Sequence, residues 1–150
     1  MELRSVGEGE RLFSRAMSAL AAGETQSALA LLERALKLSD NLSWHSYLGY
    51  CIAKERGQVQ KGRDLCLASM ELEPENPAHY VNLAKVHLVA GRKPEALGIL
   101  REGMSLGENQ EILVLLSEIG NRKPPVLSFL PRDNWLNRLL GLIRDRIGLR

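Results

Sequence analysis

Cysteine is scarce. Cys51 and Cys66 are the only two, with no Cys-x-x-Cys spacing and no third or fourth ligand beside them. That excludes a zinc site of ordinary spacing and argues against a disulfide framework. It leaves two buried, reduced thiols in the helices of a cytoplasmic protein. No run of 18 apolar residues occurs, so no segment reads as membrane-spanning. The first ten residues are acidic and lack an apolar stretch, so they do not read as a secretory signal. No Gly-rich loop ends in Gly-Lys-Ser/Thr, and no His-Glu-x-x-His occurs. His45, His79 and His87 lie at spacings that suit no metal, and Glu71, Glu73 and Glu75 read as a solvated stretch near a helix end. Aromatic residues are only 5% of the chain, and the net charge is only +2. Neither argues for nucleic acid. An enzyme, a metal site and a cofactor are therefore not expected.

What is present is a period. Gly23, Gly57 and Gly91 stand 34 residues apart. Ala28, Gly62 and Ala96 keep the interval, as do Leu32, Cys66 and Leu100. So do Ala35, Ser69 and Gly103, then Leu36, Met70 and Met104, then Leu38, Leu72 and Leu106. A 34-residue period of small and apolar positions predicts stacked helical hairpins, an all-α chain whose task is to hold another chain. At 150 residues it is one domain by size, long enough to bury a core.

The first helix is expected over 8–22, with Leu12, Phe13, Ala16, Met17, Ala19 and Leu20 on one face. Gly23 ends it, and Thr25 caps the next helix, to about residue 39. The second hairpin begins near Ser43, turns at Gly57 and stops at Pro74. The third opens at Pro77, turns at Gly91, carries Pro94 in the first turn of its partner helix and stops at Gly107. The small residues at 28, 62 and 96 let paired helices approach closely. A short apolar helix follows over 110–119. Residues 121–132 hold Pro124, Pro125 and Pro131 and read as a loop or extended segment. A last amphipathic helix is expected from Asp133 or Asn134 to about Ile147. Residues 122–150 hold seven basic and two acidic residues, net +5, against −3 for the rest.

Tyr80-Val81-Asn82-Leu83-Ala84, then His87, Gly91, Ala96, Leu100 and Gly103, resembles a tetratricopeptide repeat. The second unit matches through Leu48-Gly49, Gly57, Gly62, Cys66, Ser69 and Pro74, with one extra residue between Gly49 and Gly57 that should distort or lengthen its first helix. The first unit matches through Gly23, Ala28, Leu32 and Ala35, but has Arg15-Ala16 where Leu-Gly is usual and Asp40 in place of the proline. The resemblance implies a right-handed superhelical array. Its expected layout is an N-terminal extension 1–7, repeats at about 8–41, 42–75 and 76–109, a capping helix 110–119, and a Pro-containing linker with the amphipathic helix over 120–150. His87 then stands at a usual aromatic site, as a packed interior ring.

The resemblance also implies a concave groove lined by the first helix of each repeat. The repeat register places there Phe13, Met17 and Leu20, then Tyr47, Tyr50 and Lys54, then Val81, Asn82, Lys85 and Leu88. That groove is more apolar than charged. Members of the family that hold the C-terminal carboxylate of heat-shock chaperones place Lys and Asn where Phe13 and Met17 stand, so no carboxylate clamp is expected. The expected function is a non-enzymatic adaptor binding a peptide or helix in the groove. The alternatives are a secretion-type chaperone shielding apolar segments of a client, or a peripheral membrane-associated assembly factor anchored by the tail helix. The tail is expected to cap the repeats; residues 125–131 lying in the groove is the sharper version. Its low charge and lack of a lysine run argue against membrane association. A homodimer stays open, because an apolar tail helix can cap its own chain or a neighbour's.

Overall fold

The computed structural model describes residues 2–121, and the described chain is α-helical with one 3₁₀ turn. The helices are α1 (Glu2–Ala21), α2 (Thr25–Leu38), α3 (His45–Arg56), α4 (Val59–Leu72), α5 (Pro77–Val89), α6 (Lys93–Met104) and α7 (Gln110–Asn121). The described residues divide into two units, one up to Leu113 and one from Val114. The linker and amphipathic helix expected over 120–150 lie, beyond Asn121, outside the described residues.

Three antiparallel pairs, α1/α2, α3/α4 and α5/α6, follow from the 34-residue pattern. Gly57 closes α3 in the left-handed region at φ 68°, a conformation that costs glycine no steric penalty; Gly23 and Gly91 turn their hairpins at φ 79° and 77°. The starts differ in chemistry. Asn76 caps α5 by accepting from the Ala78 amide at 3.0 Å, and Pro77 supplies the first turn. Thr25 does not cap α2: it is already helical, Glu24 precedes it without a side-chain cap, and the threonine hydroxyl donates to the Glu55 carboxylate of α3 instead.

The repeated positions form the core. Ala28, Gly62 and Ala96 are buried, as are Leu32, Cys66 and Leu100, and Ala35, Ser69 and Gly103. Each fully buried leucine is worth about 1.5–3 kcal/mol relative to exposure. Leu38, Leu72 and Leu106 keep the period too, but are 38%, 55% and 38% exposed, because they sit where the second helix of each hairpin runs out. One cluster joins α1, α2 and α3 through Ala16, Leu29, Leu32, Cys51 and Ile52. Another joins α3, α4 and α5 through Ala53, Cys66, Leu83 and Val86.

Two boundaries differ from expectation. Residues 2–7 are helical, so α1 starts well before residue 8. Gly9 explains how it can: a Cβ there would lie 3.3 Å from both the Ala35 carbonyl oxygen and Ser39 Cβ, so glycine lets α1 lie against the end of α2. The second hairpin opens on the 3₁₀ turn Leu42–Trp44, capped by Asn41, before α3 begins at His45.

Candidate interaction face

The backbone shows which residues of the first helices correspond. Past the turns of the first and third hairpins, Glu24 N–H donates to the Ala19 carbonyl and Arg92 N–H to that of His87, each five residues back. In the second hairpin, Gln58 N–H reaches six residues back, to Ile52. The extra residue between Gly49 and Gly57 is thus taken up in the last turn of α3. Upstream of it, Ala16, Gly49 and Ala84 correspond, and all three are buried. Met17, Tyr50 and Lys85 then share one position, and Phe13, Ser46 and Val81 another. Gly49 meets Gly62 so closely that a Cβ on either would stand 2.4 Å from the other's carbonyl oxygen.

One face of α1, α3 and α5 carries a continuous set of half-buried side chains. Phe13 stacks on Trp44 at 4.6 Å between ring centroids and meets Tyr47 edge-on at 5.5 Å. Met17, Leu20 and Tyr50 pack against the same core cluster. Lys85 Nζ lies 5.1 Å from the Tyr50 ring centroid and 3.1 Å from the Glu111 carboxylate of α7. Burial raises the Tyr47 hydroxyl pKa above its ordinary value, and the Glu111 and Glu73 carboxylates add to that. Burial also raises the Tyr50 pKa, with Cys51 and Glu55 adding to it. Both phenols are therefore neutral donors at physiological pH.

Not every expected residue is on this face. Val81 is 1% exposed and Asn82 3%, so both belong to the interior. Lys54 is exposed and lies in the turn that absorbs the extra residue. Leu88 is half-buried, at the position of Leu20 and Ala53.

Asn82 belongs to a buried polar chain that sequence reading missed. Its Nδ2 donates to Ser46 Oγ at 2.9 Å, and Ser46 Oγ lies 2.7 Å from His79 Nδ1. His79 Nε2 lies 2.7 Å from the Glu73 carboxylate, which also accepts from Asn76 at 3.1 Å. Ser69 Oγ accepts from the Ser46 amide at 2.9 Å and donates to the Leu42 carbonyl at 2.6 Å. One proton arrangement satisfies the chain. Ser46 accepts from Asn82 and donates to His79 Nδ1, so Nε2 carries the hydrogen given to Glu73. The Glu73 pKa is lowered, first by the His79 hydrogen bond and then by that of Asn76. Serine, histidine and carboxylate in line suggest a nucleophile, but Ser46 and His79 are fully buried and the hydroxyl is used on both sides. The chain fastens the second hairpin to the third.

The thiols are inert by environment. Burial pushes Cys51 and Cys66 each up to about 12. Among the described residues no group of three or more His, Cys, Asp or Glu could hold a metal ion, and no helix is long and apolar enough to cross a membrane.

Family models of the tetratricopeptide repeat match residues 13–70 and 77–102, together more than half of the chain. No curated protein sequence matches it. Among solved structures, the chain is similar to the TPR domain of Arabidopsis OM64, with a TM-score of 0.58 and 16% identity over 79% of this chain and 99% of that one. It is also similar to the second TPR domain of human RPAP3 in complex with the HSP70 peptide SGPTIEEVD, with a TM-score of 0.56 and 12% identity over 81% of this chain and 100% of that one. At such identities the likeness shows the fold.

Proposed function

The chain belongs to the tetratricopeptide repeat family, and from that premise we propose that it is a non-catalytic adaptor holding a peptide or helix of another protein on the shared face of α1, α3 and α5. The observation that carries this reading is the row Met17, Tyr50 and Lys85, one residue from each first helix, half-buried and flanked by Phe13 and Tyr47. Half-buried aromatic and aliphatic side chains are what a partner's apolar residues need to exclude water.

The same face argues about the kind of peptide. The RPAP3 neighbour was solved with the HSP70 peptide SGPTIEEVD, which is acidic towards its C-terminus. Here Lys85 is already held by Glu111 and by the Tyr50 ring, and Phe13 and Met17 offer no positive charge. The proposed partner is therefore an apolar segment, not a C-terminal carboxylate.

A pull-down from native lysate with the full-length chain tests the reading, beside a Met17→Ala, Tyr50→Ala variant. Phe13 is left intact because it stacks on buried Trp44. The expected result is a discrete partner held by the wild type and lost from the variant, with helicity unchanged. A partner held equally by both would refute this face.

A further inference from the structure

The second helices α4 and α6 border a cleft of about 420 Å³, lined by no residue of the face described above. Leu67 of α4 and Ile99 of α6 contribute its more accessible apolar surface, and buried Leu83 and His87 of α5 form the floor. Leu67 is 37% exposed although it is apolar. It also lines an adjoining hollow of about 560 Å³ that includes Asp64, Glu71 and Tyr80, so the two hollows meet at Leu67 and are taken together as a trough.

Gly98 is the anomaly here. It stands inside α6, where glycine weakens a helix relative to alanine. Gly62 of α4 and Gly103 of the same α6 have a packing reason: a Cβ on Gly62 would meet the Gly49 carbonyl oxygen at 2.4 Å, and one on Gly103 would meet Ile112 Cδ1 at 2.9 Å; Gly7 near the start of α1, like Gly98, has none. Among the described residues, a Cβ on Gly98 would meet nothing within 4 Å. The missing side chain leaves an open recess in the cleft wall. On the floor of the same cleft, His87 is 8% exposed and its Nδ1 has no hydrogen-bond partner among the described residues. Burial, then Arg92 and Arg63, lowers the His87 pKa, so the floor is uncharged at neutral pH.

The rim is acidic. Glu95 and Glu102 stand two turns apart on α6, and Asp64 and Glu71 continue along α4. Among the described residues, Arg63 is the one lysine or arginine lining either hollow, and it lies 3.8 Å from Asp64. A net negative rim repels nucleic acid and anionic membranes alike, and an elongated trough suits a chain segment better than a compact ligand.

We propose that this trough is a second docking site, for a basic amphipathic segment of a protein partner. An apolar side chain of the segment fills the recess at Gly98, and its lysine or arginine residues pair with Glu95 and Glu102.

The test is titration of the full-length chain with a labelled amphipathic helix of about 18 leucine and lysine residues, read by anisotropy and by amide shift mapping. Shifts are expected along Arg63–Glu71 and Glu95–Glu102. Gly98→Leu should weaken binding at least about tenfold, a change of about 1.4 kcal/mol, without lowering the melting temperature. Glu95→Lys with Glu102→Lys should do the same through charge. Met17→Ala with Tyr50→Ala should leave this binding intact, which separates the trough from the adaptor face. Undiminished binding by both trough variants would overturn the proposal, and so would shifts confined to α1 and α3 or no binding up to about 1 mM.

Discussion

Gly62→Ala and Gly98→Ala are one substitution made in the second helices of successive hairpins, and the structure assigns them opposite signs. At Gly62 the new methyl would sit 2.4 Å from the Gly49 carbonyl oxygen and 3.2 Å from Ala53 Cβ, where ordinary contact begins at 3.4 Å. The nearest atom is backbone, so no side chain can rotate away. α3 and α4 must part by about 1 Å, and a gap of that size forfeits a quarter to a half of the dispersion energy of the contacts lining it. Overpacking of this kind costs about 1–3 kcal/mol, and a rigid backbone contact belongs at the upper end. Better helix propensity returns about 1 kcal/mol, leaving a net loss of about 2 kcal/mol. A Cβ on Gly98 would meet no other described atom within 4 Å outside its own helix backbone, so only the propensity gain of about 1 kcal/mol remains. Urea unfolding followed by circular dichroism should place the two variants about 3 kcal/mol apart, on either side of the wild type. A Gly62→Ala protein as stable as the wild type would refute the reasoning, because α3 and α4 would not then be held at backbone contact.

Ser46→Ala should destabilise the chain by about 2–4 kcal/mol in urea, since it leaves both Asn82 Nδ2 and His79 Nδ1 buried without their partner. The folded-state pKa of Glu73 lies below its ordinary 4.5, so the stability it confers is complete at neutral pH. That stability drains as pH falls from about 4.5 through the folded value. The gap between wild type and Glu73→Ala should therefore narrow in acid, and a gap that widened there would reverse the sign. Neither Cys51 nor Cys66, each pushed up to about 12, should react with a thiol reagent at pH 8 until the chain opens. Fast labelling of the native protein would show a thiol the structure does not expose. The peptide SGPTIEEVD should bind no better than its C-terminally amidated form, and a clear preference for the free carboxylate would mean that Lys85 leaves Glu111.

The hairpins were legible because the period is physical. Position after position needs a small side chain where helices touch, and Ala28, Gly62 and Ala96 each supply one. Leu38, Leu72 and Leu106 were misleading for the same reason: periodicity records that a residue recurs, not whether a neighbour covers it. The buried polar chain left a signal that went unread. His79, Asn82, Leu83 and Val86 follow helical spacing, so two polar side chains shared a stripe with two apolar ones. Polar groups in a buried stripe require partners, and Ser46 and Ser69 were available in the preceding hairpin.

The interaction face was only partly legible, and one residue explains why. A strict 34-residue register pairs Tyr50 with Ala16 and Ala84, which are buried helix contacts where a tyrosine cannot fit. The extra residue in the last turn of α3 shifts that helix by one position, so Gly49 takes the helix contact and Tyr50 comes into line with Met17 and Lys85. A one-residue step turns a helix by about 100°. Sequence shows that the extra residue exists; only the hydrogen bond from Gln58 to Ile52 shows where it is absorbed. Had it been absorbed before Gly49, Tyr50 would stand at a helix contact and the ring under Lys85 would be lost. Deleting Lys54 tests this. With the turn of α3 restored to the form of its neighbours, Tyr50 should stay on the face and the hairpin should keep its stability. If deletion instead unfolds the second hairpin, the extra residue is part of how Gly49 and Gly62 are brought together.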